Sequence, residues 1–494
     1  MALGLLLPSS CRNKAYRVPA SCTEVDSEAP VYPDYHGITI PPNIAPLNFM
    51  LTDTVAVQEV VVRLGELTAS GGDDAKVRFD TAAWRALLRD HAGETLQMDI
   101  YARRRSGWVH YRPTSMTIAT EPVDSFVTYR LIEPGYELYR QVGIYQRDLT
   151  TFRETPVYEN NRTYSDADNH CVNCHSFQAY GTDRFLFHVR AQHGGTVVVE
   201  HGHARKIAIR HDSILGAGVY PSWHPELPLV AFSTNRTGQA FHMMHREKIE
   251  VLDEASDLLL YDAEGNAVSH ILRTPDSLET FPAWDASGTR LYYCSAAMPA
   301  MPGGYSVSRL MESYDSLLYD IYSMPFEPQT RTFGTPRLEV AASAMGMSAS
   351  VPRLSPDGRF LLFTMGRYGQ FHIWHATADL YIKEVGAAAD ASRPLAAANS
   401  DEADSYHAWS ANSRWVVFAT RRTDGTFSRL ALAHVGADGV ASKAFIMPQQ
   451  DPEHDVVLLK SYNVPEFTRT AISLPPHELT HTVLHTDAAV ASYQ

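Results

Sequence analysis

With 494 residues the chain is long enough for two or more domains, because single hydrophobic cores stop growing near about 250 to 300 residues. Its 45% hydrophobic and 20% charged residues are the mix of a globular protein and exclude wholesale disorder, while 25 Tyr, 19 Phe and 7 Trp favour strand-rich structure. A net charge of −14, with no cluster among the 42 Lys and Arg, argues against nucleic acid as a partner and against a basic membrane-binding face.

In chain order, residues 1–22 read as a signal or lipoprotein segment. Leu7-Pro8-Ser9-Ser10-Cys11 resembles a loose lipoprotein signal, with Cys11 as the residue to be acylated; the apolar run is short and lacks a basic flank, so the true start is expected upstream. A disordered start with a chance cysteine is the other reading. The expected location is outside the cytoplasm, as a periplasmic or outer-membrane lipoprotein touching the membrane only through its N-terminal lipid. No stretch approaches the ~18 to 20 apolar residues of a spanning helix, so the body is expected to be soluble. Residues 23–48, with Pro30, Pro33, Pro41, Pro42 and Pro46, suit an extended linker.

Residues 49–159 predict a small β-rich domain of sandwich type, with strands at 96–102, 108–111 and 125–131. One helix interrupts them: Asp80 is its N-cap, Trp84, Leu87 and Leu88 share a face, and Gly93 lies past its end.

Beyond residue 175 the sequence repeats. Phe281-Pro282-Ala283-Trp284-Asp285-Ala286-Ser287-Gly288 leads into the apolar run at 291–293. Val351-Pro352-Arg353-Leu354-Ser355-Pro356-Asp357-Gly358 leads into 360–363, and His407-Ala408-Trp409-Ser410-Ala411-Asn412-Ser413 into 415–418. Tyr220-Pro221-Ser222-Trp223-His224-Pro225 is a looser copy, and a unit near Phe177 the loosest. Each has an apolar anchor, a tight turn and an apolar strand, then a second strand such as 257–262 or 379–385. Such spacing is that of propeller blades with loop insertions, and the Trp residues are expected to hold blades together by core packing. The Pro-x-Trp-Ser-Pro-Asp-Gly theme, best copied at 352–358, resembles the TolB-like six-bladed β-propeller over about residues 175 to 465. The expected fold is therefore all-β: an N-terminal sandwich-like domain, then a propeller over 177–467 and a tail over 468–494. Five repeats are visible. A sixth blade must come from 145–158, from the tail at 456–467, or be absent.

Chemistry concentrates in residues 160–176. Five cysteines (Cys11, Cys22, Cys171, Cys174, Cys294) are too few for a disulfide scaffold, and Cys294 reads as a small buried hydrophobe. Cys171-Val172-Asn173-Cys174-His175 has the spacing of c-type haem attachment, in which two thiols reach the two vinyl groups of one porphyrin and the next imidazole becomes an axial iron ligand. A redox dithiol and a metal site with His170 as an extra ligand stand beside it. No second Cys pair exists to complete a usual zinc set, and no βαβ pattern follows. The stretch from Glu159-Asn160-Asn161-Arg162 through Asn169-His170-Cys171 to Ser176-Phe177 also resembles exported proteins of anaerobic bacteria that join one such motif to a TolB-like propeller. That resemblance implies the architecture and export, while the motif itself predicts one covalent haem c on Cys171 and Cys174 with His175 as axial ligand.

The second axial ligand is open. Phe241-His242-Met243-Met244-His245 concentrates candidates, with His242 the first choice, and His188, His193, His201 and His203 lie nearer in sequence. Asp166 and Asp168 flank the motif but read as turn residues. No Gly-x-Ser-x-Gly nucleophile turn, phosphate loop, dinucleotide fingerprint or His-Glu-x-x-His occurs; Gly304-Tyr305-Ser306-Val307-Ser308 and Gly346-Met347-Ser348-Ala349-Ser350 each lack the closing Gly. The reading leans away from an enzyme. Electron transfer or redox sensing with an envelope partner leads, a binding or scaffold propeller follows, and a haem-dependent oxidoreductase ranks third.

Overall fold

The computed structural model describes residues 16–53, 55–133, 140–162, 169–242, 247, 249–301 and 303–494; Cys11, Asp166, Asp168, Met243, Met244 and His245 lie outside them. The chain is mostly β-strand and divides into two compact units, Met1–Pro122 with Pro448–Val457, and Val123–Met447 with Leu458–Gln494. Among the described residues no helix is long and apolar enough to cross a membrane.

In the first unit a seven-stranded sheet is built around the ten-residue strand Thr95–Arg104, which pairs with Glu59–Leu64, Gly107–Tyr111 and Thr114–Ile118. The helix forms where its cap and apolar face place it, at Thr81–Asp90. Asp80 accepts from the Ala83 amide at 2.9 Å, and Trp84, Leu87 and Leu88 are buried. Residues 23–48 are no tether. Thr23–Val25 and Ile38–Ile40 add parallel strands to the sheet, and Tyr35, Ile38, Ile40, Ile44 and Leu47 are core residues. Their prolines punctuate short strands rather than stiffen a linker. The late segment is knitted in by Asn48 Nδ2 donating to Gln450 O at 3.0 Å and by Lys76 Nζ, which lies 2.6 Å from Glu453 and 3.0 Å from Asp451.

Among the described residues the second unit contains six sheets of at least four strands, each an antiparallel meander at its core. Five begin at His170–Phe177, Gly218–Trp223, Ser277–Trp284, Ser348–Leu354 and Asp404–Trp409 and run forward in sequence. The sixth draws on both ends of the unit: Ser461–Thr468 pairs with Phe126–Ile132, followed by Val142–Asp148 and Glu154–Glu159. Both segments from which a sixth sheet could come therefore contribute to one. For the same reason the first unit closes at Pro122 rather than near Glu159, since strand 126–132 finds its partners in the second unit.

The first strands of the six sheets touch one another in order, and Ser461–Thr468 touches His170–Phe177, so the cycle closes into a propeller-like ring. The second strand of the sheet that begins at Gly218 is apolar on both faces over its first half because it lies between two neighbours. Val230 and Phe232 join a cluster with Leu186 and Val198 of the preceding sheet, whereas Leu229 and Ala231 pack with Leu291 and Tyr293 of the following one. Trp223, Trp284 and Trp409 are buried in these seams, as is Cys294.

Each first strand also slips register at the same place. The residue there has positive φ in all six: Cys174 (52°), Tyr220 (49°), Phe281 (51°), Val351 (53°), Tyr406 (48°) and Val464 (48°). Five slips fall within the pairing to the next strand, and the sixth opposes Val464, between Asn463 and Glu466. Left-handed backbone is unfavourable for aromatic and β-branched residues, so its sixfold recurrence is imposed by the ring rather than by local sequence.

The closing strand should be a stability determinant. Phe467, fully buried in it, is expected on Phe467→Ala to lose about 3 to 5 kcal/mol, read as a lowered urea midpoint with an unchanged denaturant slope. A midpoint within error of wild type would mean that the strand contributes little to holding the ring.

Candidate functional site

The Cys-x-x-Cys-His motif lies inside the first strand of a sheet, His170–Phe177, and its last two residues are the bulge. Upstream, the strand is fixed by Tyr158 Oη, 2.6 Å from His170 Nε2, and by Asn160, whose Nδ2 donates to His170 O at 2.7 Å. Cys171 faces an apolar seam with Val142, Ile144, Val157 and Tyr158. Burial pushes its thiol up, opposed by the nearby Arg130 and Arg190 charges. Cys174 is half-buried, and its charge would be felt by Arg130, Tyr220 and Tyr406. Both thiols are free.

His175 is 4% exposed. Burial, reinforced by Arg130, pushes its pKa down to about 3, so the imidazole is neutral; neither ring nitrogen has a hydrogen-bond partner, and the backbone of Thr128 and Val464 approaches without bonding geometry. Arg130 is equally unusual. Its guanidinium makes one long contact to Val172 O at 3.3 Å, leaves Nε unbonded, and is held below its ordinary pKa by burial. It nevertheless retains some accessible surface and is half-buried.

His175 borders a funnel of about 370 Å³ at the end of the ring axis. Aromatic anchors of the repeats, including Trp223, Trp284 and Trp409, form its walls. The middle residue of each Pro-x-Trp unit also faces it. Four of these are small (Ser176, Ser222, Ala283 and Ala408) and two are charged, Arg353 and Glu466. Glu466 accepts from the Phe177 amide at 3.0 Å, and burial pushes its carboxyl up to about 8. Arg353 is held below its ordinary value by burial, partly offset by Glu466. His407, at the position equivalent to His175, is likewise neutral, with a pKa lowered by burial to about 3.

The other histidines are engaged elsewhere. His242 Nε2 lies 3.2 Å from Glu250, its ring against Tyr314, and it is absent from the funnel wall; Glu250 also binds His375 Nε2 at 3.0 Å and Tyr368 Oη at 2.8 Å. His188 pairs across from Asn173 and contacts Thr196 Oγ1 at 3.1 Å; His193 packs edge-on to His170; His201 and His203 are exposed on a hairpin. Ser350 Oγ lies 2.7 Å from His372 Nδ1, a pair that sequence spacing does not reveal, but both are completely buried, so no substrate reaches the hydroxyl.

The donor set fits a covalently held haem in two respects: two unbridged thiols at the required spacing, and a neutral imidazole with unpartnered nitrogens. A third requirement is unmet in this conformation, since the funnel wall includes His175 but neither thiol. A small-ion site is a poorer match: among the described residues only Cys22, Glu24 and His110 bring three ligand atoms within 4.8 Å of one another.

No protein-family model matches the chain, and no curated protein matches it. Solved structures show weak likeness. Prolyl oligopeptidase B from Galerina marginata, bound to a 25mer macrocyclization substrate, is 8% identical with a TM-score of 0.38, over 70% of this chain and 42% of that one. A structure from an analysis of two prolyl endopeptidases is 8% identical with a TM-score of 0.34, over 65% and 42%. A DUF4784 family protein from Bacteroides caccae is 8% identical with a TM-score of 0.20, over 88% and 98%. The chain thus spans well under half the length of the prolyl oligopeptidases. Likenesses this weak are compatible with an all-β propeller-like fold and bear on no activity.

Two groups at the funnel make opposite contributions to pH dependence. The depressed pKa of His175 gives stability that is present above about pH 6.5 and lost as pH falls towards 3, because the unfolded chain binds the proton more readily. The raised pKa of Glu466 means that the folded state holds a proton the unfolded state gives up, so stability declines as pH rises from about 4.5 to 8. Glu466→Gln should flatten the alkaline decline. Equal loss of urea midpoint between pH 5 and 8.5 in variant and wild type would remove Glu466 as its source.

Proposed function

We propose that this chain is an exported, lipid-anchored six-bladed propeller of TolB type that carries one haem c and works in electron transfer or redox sensing with an envelope partner. The six sheets are its blades, and the pairing of Ser461–Thr468 with Phe126–Ile132 is its closure. The observation that carries the haem reading is His175: a buried neutral imidazole with two unpartnered nitrogens, one residue from a free thiol and four from another. Buried polar atoms are almost always satisfied, so a ring nitrogen that lacks a well-formed hydrogen bond is one that an iron centre would complete, while the other stays beside the backbone of Thr128 or Val464. Cys171 and Cys174 would hold the group and His175 would ligate it. A bound haem supplies one-electron chemistry. Arg130, a half-buried cation with no carboxylate in contact among the described residues, supplies positive charge near both thiols and suits a carboxylate-bearing group.

Expression in a host with haem-attachment machinery tests this. Soret and α bands should appear, and haem should stay with the polypeptide through denaturing electrophoresis in wild type but not in Cys171→Ser/Cys174→Ser. Protein that leaves the host colourless, or sheds its haem on denaturation, refutes the proposal.

A second reading, a binding or scaffold propeller, is favoured by the funnel itself. Cys174 and His175 stand in register with Tyr220-Pro221 and Val351-Pro352, so the strand needs no cofactor to exist, and Arg353 opposite Glu466 in an aromatic wall is the polar pair of a ligand site. On that reading Cys171→Ser/Cys174→Ser leaves partner binding intact, whereas Arg353→Ala weakens it.

A further inference from the structure

A separate cluster lies on one face of the sheet in the first unit, and register alone assembles it. Glu24 stands directly opposite His110 in the parallel pair of Thr23–Val25 with Gly107–Tyr111, and Cys22, two residues earlier, falls on the same side. Across the next strand Tyr101 opposes His110, Asp99 follows two residues away, and Arg63 opposes Asp99. The outcome is a graded surface. Cys22 Sγ lies 3.7 Å from Glu24 Oε1, His110 Nδ1 lies 2.9 Å from Glu24 Oε2, and the three ligand atoms all fall within 4.8 Å of one another.

The second observation concerns the far side of the imidazole. His110 Nε2 lies 3.2 Å from Asp99 Oδ1; Asp99 is 2% exposed and takes hydrogen bonds from Arg63 Nη2 at 2.8 Å and Gln97 Nε2 at 2.9 Å. The Tyr101 ring stacks on the imidazole at 4.3 Å, so its orientation is fixed. With Nε2–H donated to Asp99, the Nδ1 lone pair faces the Glu24 carboxylate. Two electron-rich atoms at 2.9 Å need a positive charge between them, either a proton or a metal ion. A carboxylate fixing the remote nitrogen of an imidazole, with a thiol and a carboxylate at its other nitrogen, is the arrangement that orients ligands for zinc.

We infer that Cys22, Glu24 and His110 bind a divalent transition-metal ion of the zinc type, with Asp99 as the positioning residue. One thiolate, one imidazole and one carboxylate select Zn²⁺ or Co²⁺ over Mg²⁺ and Ca²⁺, and leave a fourth tetrahedral position to water. Binding displaces the thiol proton to solvent. The site is independent of the haem proposal, sharing none of its residues.

The full chain, purified reduced and metal-free, is titrated with Co²⁺ and then with Zn²⁺. One equivalent of Co²⁺ should produce thiolate-to-metal charge-transfer absorption that Zn²⁺ bleaches. Cys22→Ser should abolish the band, and Cys171→Ser/Cys174→Ser should keep it. Asp99→Asn should weaken Zn²⁺ binding about 10- to 100-fold while leaving the ligands in place. The exposed Glu24→Gln, which leaves the Asp99 network untouched, should also weaken it. No band in wild type, a band that survives Cys22→Ser, or one lost with Cys171 and Cys174 overturns the assignment, whatever the haem measurement shows.

Discussion

The backbone ladder between Ser461–Thr468 and Phe126–Ile132 is the constraint on which the larger unit depends. A four-stranded meander has two edges, and an uncovered inner edge is a template for pairing with another chain. Here the inner edge of the sheet that begins the unit is covered by the strand that nearly ends it, so each of the six first strands has a neighbour on both sides. Side chains then add to the join. Phe177 donates its amide to Glu466, and Gln146 donates to Thr468 Oγ1 at 2.8 Å. The loop being closed is several hundred residues long, but closure entropy grows only logarithmically with length, so a modest set of bonds suffices.

The ring also determines what Cys174 and His175 can be. Six first strands converge on one axis, and each carries a left-handed residue at the same place. In four strands the residue that follows it is Pro; in the other two it is His175 or His407, and both rings are driven neutral by burial. Chemistry and architecture therefore compete for the same positions. Cys171, three residues before the bulge, belongs to an apolar seam, while His175 borders the funnel, so the motif's residues face two environments.

Much of this was legible in the sequence because it rests on local pattern. The helix at Thr81–Asp90 followed from Asp80 and three apolar residues on one face, and the repeat strands from apolar runs after Asp-Gly-like turns. Pairing between distant segments was not legible. Nothing local in 126–132 or 461–468 says that they are partners, and the prolines at 30–46 read as a tether because burial of Tyr35 and Ile44 depends on strands far ahead. At the site, the motif stood out by spacing, whereas Arg130 became visible only as a half-buried cation. Glu466 and Arg353 carried a readable signal: aligned with the other repeats, they are the two charged residues at a position otherwise held by Ser or Ala.

The return of Pro448–Val457 to the N-terminal unit has a consequence for biosynthesis. Lys76 and Asn48 find their partners at 450–453 only after more than 300 intervening residues have been made, and the ring needs its closing strand a few residues later still. At about 5 to 20 residues per second, the early strands wait on the order of tens of seconds before either unit can be completed. Both units are thus completed only once residues 448–468 have been made.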